Sequence, residues 1–355
     1  MREIVSKKLD YSAGLTGCRV ISGTSAVVGG FQGFLVNDDS VVSSILDKDG
    51  IDVTSALGLS AFTLKQGTFV SIPAGNCFSS ITLTSGSVIA YNTIGVAGSV
   101  SVIDADAQAF ITAAAITDAT QQSAINTLVI DLKTYGIWTK MKAIYPFVGG
   151  TASAHKFNLK DPRDLDAAFR LVFNGGWTHS SNGSTPNGTN GYSDSKLNNL
   201  SNFTQNSTHF SYYSRTNSNG TEVEVGARVT PGSVHAGGLL EIRTSGITYL
   251  GVNQALGYSQ FADTDSRAFY LANRTASNVY NGWRNSVKSV TGTTASSAPV
   301  NLNTFIGALN QDGSPVFYTT KQCAFASIGD GLTDTEVANL YTAVQAYQTT
   351  LSRNV

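Results

Sequence analysis

Residues 176–221 read GWTHSSNGSTPNGTNGYSDSKLNNLSNFTQNSTHFSYYSRTNSNGT. Asn, Ser, Thr, Gly and Tyr dominate this stretch, and its small polar residues favour tight turns and rarely fill a core. Short apolar runs lie on both sides of it. The stretch therefore predicts display loops carried on an all-β scaffold. It favours a protein that presents a surface over one that performs chemistry.

The sequence around these loops repeats short apolar runs separated by turn residues. Downstream examples are LLEIRTSGITYL, RAFYLAN and CAFASIG. This spacing predicts an antiparallel β-sandwich over residues 137–355. Near the end, Thr333 and Glu336 form a capping box before an apolar stripe of Val337, Leu340, Val344, Tyr347 and Leu351. We expect a terminal amphipathic helix that seals one edge or end of the sandwich.

The N-terminal part divides into three predicted segments. Residues 1–23 form an arm with little periodicity, and residues 24–100 form a small β-domain with hairpin turns at 48–50 and 84–86. Residues 101–136 form a helical connector, in which a capping pattern at Asp118 and a stop at Gly136 mark one helix. The helices are expected to pack against a β-sheet.

Composition narrows the function classes. Only 13% of the 355 residues are charged, against about 25% in an ordinary soluble domain. The net charge of −1 is not clustered into a basic face, so no nucleic-acid partner is predicted. No apolar run reaches the length of a transmembrane helix, so no membrane insertion is predicted. Seven N-x-S/T sequons occur without a secretory signal at the start of this sequence, which favours assembly in a bacterial cytoplasm.

No metal or cofactor site is predicted. The cysteines Cys18, Cys77 and Cys323 are odd in number and widely spaced, which predicts reduced thiols, with those in the core buried. The four histidines show no metal-ligand spacing; they are His155, His179, His209 and His235. A structural calcium ion is an alternative that no ligand pattern supports, because the aspartates at 47, 49 and 52 lack the later Glu of a calcium loop.

Two charged segments receive a structural interpretation. In residues 160–164, KDPRD, we expect Arg163 to pair with a neighbouring aspartate, although a calcium ion or a carboxylate-bearing ligand is the functional alternative. Asp263 and Asp265 receive the same interpretation, with Arg267 as the partner.

Two longer segments carry a family resemblance. Residues 140–192 and 323–351, which begin KMKAIYPFVGGTASAHKF and CAFASIGDGLTDTEV, resemble concanavalin A-like (laminin-G-like jelly-roll) domains of bacteriophage structural proteins. Virion proteins of phages that infect Bacteroidetes, including crAss-like phages, are similar. The resemblance spans roughly residues 104–355. It implies a jelly roll displayed on the virion and an N-terminal part that anchors a fibre, commonly trimeric.

The jelly-roll superfamily includes β-glucanases, so catalytic carboxylates need to be considered. Glu222 and Glu224 lie at i and i+2 and would share one face of a strand. A retaining glycosidase needs two such carboxylates. The glucanase pattern is E-x-D-x-E, which this sequence lacks, so an exposed strand face is the favoured interpretation. No enzyme activity is predicted; a depolymerase that uses Glu222 and Glu224 is the alternative.

Glycan binding is the other candidate chemistry. Sugars stack on aromatic rings while their hydroxyls meet polar groups. Trp177, Tyr192, Tyr212 and Tyr213 lie in or beside the polar loops and are the candidate glycan-binding residues. Trp177 is equally well explained as a core tryptophan of the sandwich.

The sequence thus predicts a homotrimeric virion structural protein at the virion surface. The favoured form is a head fibre, joined to the capsid through its N-terminal domain, with a lectin-like jelly roll that binds host-surface glycans. The alternatives are a tail-fibre receptor-binding protein, a polysaccharide depolymerase, and a decoration protein without a ligand.

Overall fold

The computed structural model describes residues 18–60, 62–71, 77–92, 103–230, 236–254 and 257–355. The chain forms two compact units, Met1–Val102 and Ile103–Val355. Both are built mainly from antiparallel strands, which confirms the predicted mainly-β class. Most of the predicted arm, residues 1–17, lies outside the described residues. No described helix is long and apolar enough to cross a membrane.

The described residues of the smaller unit form one sheet. Its described strands are β1 (Cys18–Ser22), β2 (Val27–Asp47), β3 (Thr63–Leu64), β4 (Phe69–Ser71) and β5 (Phe78–Asn92). They pair in the order β1-β5-β2-β3, and β4 also pairs with β2. Alternate apolar residues of β2 and β5 bury one face; they include Phe31, Phe34, Ile45, Phe78, Ile81 and Leu83.

One predicted turn of this unit is wrong. Thr84-Ser85-Gly86 lies inside β5 and does not separate two strands. Gly86 has φ +87°, and a Cβ on it would lie 2.5 Å from the Asp39 carbonyl oxygen. Gly86 therefore allows β5 to bend close to β2 without interrupting the pairing of these two strands. The turn predicted at 48–50 is confirmed: Gly50 donates to the Asp47 carbonyl at 3.0 Å, directly after β2.

Five α-helices lie in the described part of the larger unit: α1 (Ala105–Ala113), α2 (Ala119–Thr134), α3 (Ala152–His155), α4 (Asn199–Asn202) and α5 (Asp334–Thr350). Asp118 caps α2 by accepting from the Gln121 N–H at 2.8 Å, as the sequence predicts. Thr333 and Glu336 form the predicted reciprocal capping box of α5. Caps of this kind satisfy N–H groups that have no partner within the helix.

Two sheets complete the larger unit within the described residues. The eight-stranded sheet contains β6 (Met141–Tyr145), β8 (Trp177–Ser180), β9 (Gly183–Pro186), β11 (Thr208–Ser214), β16 (Ala268–Ala276), β17 (Val279–Arg284), β18 (Val287–Gly292) and β22 (Cys323–Gly329). The nine-stranded sheet contains β7 (Val172–Asn174), β10 (Tyr192–Asn198), β12 (Val225–Val229), β13 (Ala236–Thr244), β14 (Ile247–Gly251), β15 (Ser259–Ala262), β19 (Asn303–Ile306), β20 (Leu309–Gln311) and β21 (Ser314–Val316).

The larger unit is a three-layer structure. Between the two sheets lies a core that includes Tyr212, Tyr270, Leu240, Leu250 and Ile306. The other face of the eight-stranded sheet packs against α1, α2 and α5 in a second core that includes Phe269, Trp283, Leu128, Leu340 and Val344. The helices at both ends of this unit therefore cover one face of the sandwich. The sequence had instead predicted that α5 would seal an edge or end of it. Of the predicted helical connector, residues 101–136, the part from Ile103 onward belongs to the larger unit.

Candidate functional site

Two of the predicted glycan-binding residues lie in the core. Tyr212 and Tyr213 are 0% and 1% exposed on β11. Tyr212 points between the sheets and donates to the Lys321 carbonyl at 2.7 Å, whereas Tyr213 points to the helices and donates to Gln345 Oε1 at 3.1 Å. A sugar cannot reach either ring, so this part of the prediction is wrong. On a strand, adjacent residues point to opposite faces of the sheet, which suggested that one of the two tyrosines would be exposed. Both are buried because both faces of this sheet are covered.

The structure brings the other two predicted residues together. Trp177 donates its indole N–H to the carbonyls of Asn174 and Tyr192, at 3.1 and 3.2 Å. The Tyr192 ring lies 4.8 Å from Phe305, and both side chains belong to the face of the nine-stranded sheet that is turned away from the sandwich core. Gly307 (φ +91°) makes room for the tryptophan, since a Cβ there would lie 2.8 Å from the indole ring. Trp177 is thus a partly buried packing residue.

Trp177 lies where the chain crosses from one sheet to the other. β7 is the edge of the nine-stranded sheet, β8 is the edge of the eight-stranded sheet, and Gly175-Gly176 connect them. The Phe173 ring packs edge-on against Trp177 and His179, at 5.2 and 4.7 Å between centroids. An aromatic cluster therefore fills this edge of the sandwich.

Two histidines of the cluster were not expected to meet. The Nδ1 atoms of His155 and His179 are 2.9 Å apart, although 24 residues separate them. Burial lowers the pKa of both imidazoles, and that of His155 to about 3, with His179 and Arg353 adding to the effect. Both rings are therefore neutral near pH 7, so one Nδ1–H donates to the other. Sequence spacing alone carries no signal for this pair.

Beside the aromatic cluster lies a cavity of about 310 Å³, which we call the edge cavity. It opens between α3 and β7. Its lining consists of Ala152, Ser153, Lys156, Arg170, Leu171, Val172 and Phe173. One wall is apolar and the other carries two cations and a hydroxyl. This combination of an apolar surface with a few hydrogen-bonding groups is typical of small-molecule and sugar sites.

Carboxylates of the charged segment hold the cations of the edge cavity. Asp164 accepts from Lys156 at 2.5 Å and from Arg170 at 2.8 Å, and Asp166 accepts from Arg170 at 2.9 Å. Hydrogen bonds from Lys156 and then Arg170 lower the pKa of Asp164. The Nη2 group of Arg170 has no acceptor among the described residues, so its N–H groups remain available to a ligand. The sequence pointed to this segment but not to Lys156 or Arg170.

The structural interpretation of the charged residues is confirmed at two places. Arg163 pairs with Asp161 at 2.5 Å, and Arg267 pairs with Asp265 at 2.7 Å. Asp263 is buried and accepts from the Tyr270 hydroxyl at 2.6 Å. Within the described ranges, no group of three His, Cys, Asp or Glu side chains is placed to hold a metal ion. Cys77 and Cys323 are buried, and the side chain of Cys18 lies outside the described residues.

Glu222 and Glu224 lie in a buried cluster, where the sequence predicted an exposed strand face. Lys321, which is 0% exposed, donates to Glu222 Oε2 at 2.9 Å and to Glu224 Oε1 at 3.1 Å. The Thr319 hydroxyl lies 2.9 Å from both of these oxygens. Glu224 Oε2 accepts from the Ile242 N–H at 2.6 Å. The prediction missed this because Lys321 is 97 residues from Glu224.

The two carboxyl groups have different protonation properties. Burial raises the pKa of Glu224 to about 7, against the opposing effect of Lys321. Burial also raises the pKa of Glu222. The charge of Lys321 and hydrogen bonds from Thr320 and Lys321 outweigh this effect, so the pKa of Glu222 is lowered overall. The Thr319 hydroxyl has one proton but contacts two carboxyl groups, so it can donate to only one of them. When Glu224 is protonated, both contacts are hydrogen bonds: Glu224 donates to Thr319, and Thr319 donates to Glu222.

This arrangement does not present the pair to a polysaccharide. Glu224 is 0% exposed, and Lys321 and Thr319 fill the space between the carboxyl groups. A glycosidase needs its two carboxyl groups on either side of the scissile bond, with room for the sugar. The cluster therefore gives the depolymerase alternative no accessible site.

Comparisons with known proteins find distant likeness in structure. No family model and no curated protein matches this chain. A NanB sialidase from Streptococcus pneumoniae is 12% identical (TM-score 0.32), covering 39% of this chain and 24% of the sialidase, so this chain spans about a quarter of that protein. Domain 4 of the arabinanase AbnA from Geobacillus stearothermophilus, solved with arabinotriose, is 14% identical (TM-score 0.36), covering 57% of this chain and 98% of that domain.

A carbohydrate-binding module is also similar. The CBM40 module of a Ruminococcus gnavus sialidase, solved with α2,3-sialyllactose, is 13% identical (TM-score 0.32), covering 39% of this chain and 83% of the module. Likeness at this level transfers no activity or ligand to the chain. The site must be judged from its own geometry.

Proposed function

We propose that the larger unit is a lectin-like glycan-binding module and that the edge cavity is its binding site. The observation that carries this proposal is the lining of the cavity, in which the apolar wall of β7 faces Lys156, Arg170 and Ser153. At about 310 Å³ the cavity has the size of one or two sugar rings.

Each wall has a separate role in this proposal. Phe173 contacts the C–H face of a sugar, and the free N–H groups of Arg170 donate to its hydroxyl oxygens. Asp164 and Asp166 fix the orientation of Arg170 before binding, which reduces the entropy lost when the ligand is held. The two cations and two carboxylates balance in charge, so the site favours hydroxyl-rich ligands over polyanions.

We further propose that the chain is a virion structural protein of a bacteriophage. The support is the resemblance of residues 140–192 and 323–351 to jelly-roll domains of phage structural proteins. In this proposal the smaller unit attaches the chain to the capsid as a head fibre, and the chain is a homotrimer. Weak single contacts then add up through valency. Attachment to the tail, and a decoration role without a ligand, are the alternatives.

The test of glycan binding is a glycan array with the full chain, compared with Ser153→Trp. Ser153 is exposed on α3, and an indole at this position fills the edge cavity. Ser201→Trp is the matched control, because Ser201 is exposed on the equally short α4. We expect saturable binding to one class of sugar, lost in Ser153→Trp and kept in Ser201→Trp. Absence of binding by the folded wild-type chain would leave the decoration role.

The virion proposal has its own test. Deletion of residues 1–102 should prevent incorporation into phage particles while the remaining unit still binds the sugar. Particles that carry the shortened chain at the normal level would show that the smaller unit is not the anchor.

A further inference from the structure

The buried cluster of Glu222, Glu224, Thr319 and Lys321 contains reactive groups beyond those of a simple ion pair. An amine (Lys321), a carboxyl group whose pKa is raised to about 7 by burial (Glu224) and a carboxylate (Glu222) lie in mutual contact. Lys321 and Glu224 are both 0% exposed. Thr319 joins the two carboxyl groups at 2.9 Å on each side. The proposed glycan binding makes no use of these residues.

We propose that Lys321 and Glu224 condense spontaneously to an intramolecular isopeptide bond. The new bond joins Lys321 Nζ to Glu224 Cδ, and one water molecule leaves. Nζ lies 3.1 Å from Glu224 Oε1 in the folded chain, so the amine is already in contact with the carboxyl group that it would attack. Reactants held in contact and in fixed orientation react far faster than the same groups free in water.

Each proton has a defined route. Glu222 Oε2, 2.9 Å from Nζ, accepts a proton from the Lys321 ammonium group and frees the amine. The amine attacks Glu224 Cδ, and the negative charge that develops on Oε2 is stabilised by the Ile242 N–H at 2.6 Å. Oε1 keeps its proton and receives a second one from the nitrogen through Glu222 and Thr319, so that it leaves as water. Glu222 ends protonated, and charge and atoms balance.

The rate is set by the scarcity of free amine. Burial alone would lower the pKa of Lys321, but the two glutamates give a net rise. Only a small fraction of the lysine is therefore deprotonated at any moment, and we expect the bond to form slowly after folding. Once formed, it joins the segment before β12 to the segment before β22 and so links the two sheets covalently.

The experiment is intact-mass spectrometry of the purified full chain, fresh and after several days at growth temperature. We expect the wild-type chain to become lighter than its sequence mass by one water molecule. Peptide mapping should then recover the segments around Glu224 and Lys321 as one branched peptide. That mapping excludes cyclisation at Asp-Gly sequences, which also releases one water molecule.

Three variants serve as controls. Lys321→Arg keeps the positive charge but cannot form this amide, and it should keep its full mass. Glu222→Gln removes the proton acceptor, and it should condense at least tenfold more slowly. Glu224→Gln supplies an amide as the acceptor, so any condensation should release ammonia in place of water. A folded wild-type chain, checked by circular dichroism, that keeps its full sequence mass after ageing would overturn the proposal.

Discussion

Arg353 is a buried cation without a carboxylate partner among the described residues. Its guanidinium donates to the carbonyls of Pro146, Phe147, Ser181 and Ala324 and to Gln348 Oε1, at 2.8 to 3.3 Å. These acceptors come from the loop after β6, the β8–β9 turn, β22 and α5. One side chain thus joins four parts of the larger unit.

Loss of this side chain should destabilise the larger unit strongly. Arg353→Met leaves buried carbonyl groups without donors, so we expect the free energy of unfolding to fall by about 3 kcal/mol or more. Urea denaturation followed by circular dichroism measures this. Arg267→Met is the control, because Arg267 makes an exposed ion pair, and such pairs contribute little to stability. Equal effects of the two substitutions would contradict the assigned role of Arg353.

A second prediction at the residue scale concerns acid stability. Burial lowers the pKa of His209 from 6.5 to about 4, and its Nδ1–H donates to the Asp330 carbonyl at 2.6 Å. Between these two pH values the unfolded chain binds more protons at this position than the folded chain. Its contribution to stability is therefore complete above pH 6.5 and is lost as the pH falls to about 4.

The size of this effect follows from the shift. It is on the order of 3 kcal/mol over that interval, from about 1.4 kcal/mol for each pKa unit. The measurement is the thermal midpoint against pH, for the wild-type chain and for His209→Gln. The variant should show a shallower loss below pH 6.5. An unchanged slope would show that His209 does not cause the acid sensitivity.

Residue environments were the part that the sequence could predict least. Glu222 and Glu224 follow the two-residue period of a strand, but their partners Thr319 and Lys321 are about a hundred residues away. The His155–His179 contact likewise depends on how α3 meets β8. Local pairs such as Arg163–Asp161 and Arg267–Asp265 were predictable because neighbours in sequence are neighbours in space.

At the scale of elements, helices follow directly from local signals. The capping box of α5 joins Thr333 and Glu336, and the predicted stripe from Val337 to Tyr347 is buried against the eight-stranded sheet. Strand environment was harder to predict, because the same alternating pattern occurs whether the second face meets solvent or helices. Tyr213 is the clearest example, since its face of β11 is covered by helices from both ends of the larger unit.

The capping box should contribute measurably to α5. Thr333→Ala removes the side chain that accepts from the Glu336 N–H, and we expect a loss of about 1 kcal/mol in unfolding free energy. Thr342→Ala is the control on the same helix. Thr342 is exposed, and alanine is the better helix former, so this change should be neutral or slightly stabilising. A loss as large in Thr342→Ala would show that the effect is not one of capping.

The sheet crossing allows a matched glycine test. Gly307 and Gly313 have φ values of +91° and +89°, but only a Cβ at Gly307 would contact the Trp177 ring. Both Gly→Ala changes carry the backbone strain of about 1 kcal/mol, and Gly307→Ala adds about 1–3 kcal/mol of overpacking. Denaturation curves of the two variants isolate the Trp177 contact. Equal losses would mean that the indole moves aside without cost.

At the scale of the whole molecule, the two units have separate cores. The described core of the smaller unit lies within residues 21–90, and the cores of the larger unit lie within residues 107–347. The sequence predicted a boundary at residue 100, between the small β-domain and the helical connector. The packing of α1 and α2 within the larger unit was not predictable, because their packing partner α5 begins at least 200 residues later.

Separate cores predict independent folding. A chain of residues 103–355 should be monodisperse and should unfold in one cooperative transition, at the midpoint of the larger unit in the full chain. Differential scanning calorimetry of both chains measures this. A shortened chain that aggregates, or whose midpoint is lower by ten degrees or more, would show that the larger unit needs residues 1–102 (about 2–4 °C corresponds to 1 kcal/mol at this size).

The position of Arg353 also determines when folding can finish during protein synthesis. Its acceptors are made early, as far as 207 residues before it, and their donor follows only after every described strand has been synthesised. The sandwich therefore remains incomplete until translation has passed Arg353. A chain that stops before Arg353 lacks this connection, so we expect proteases to degrade it faster than a chain that contains Arg353.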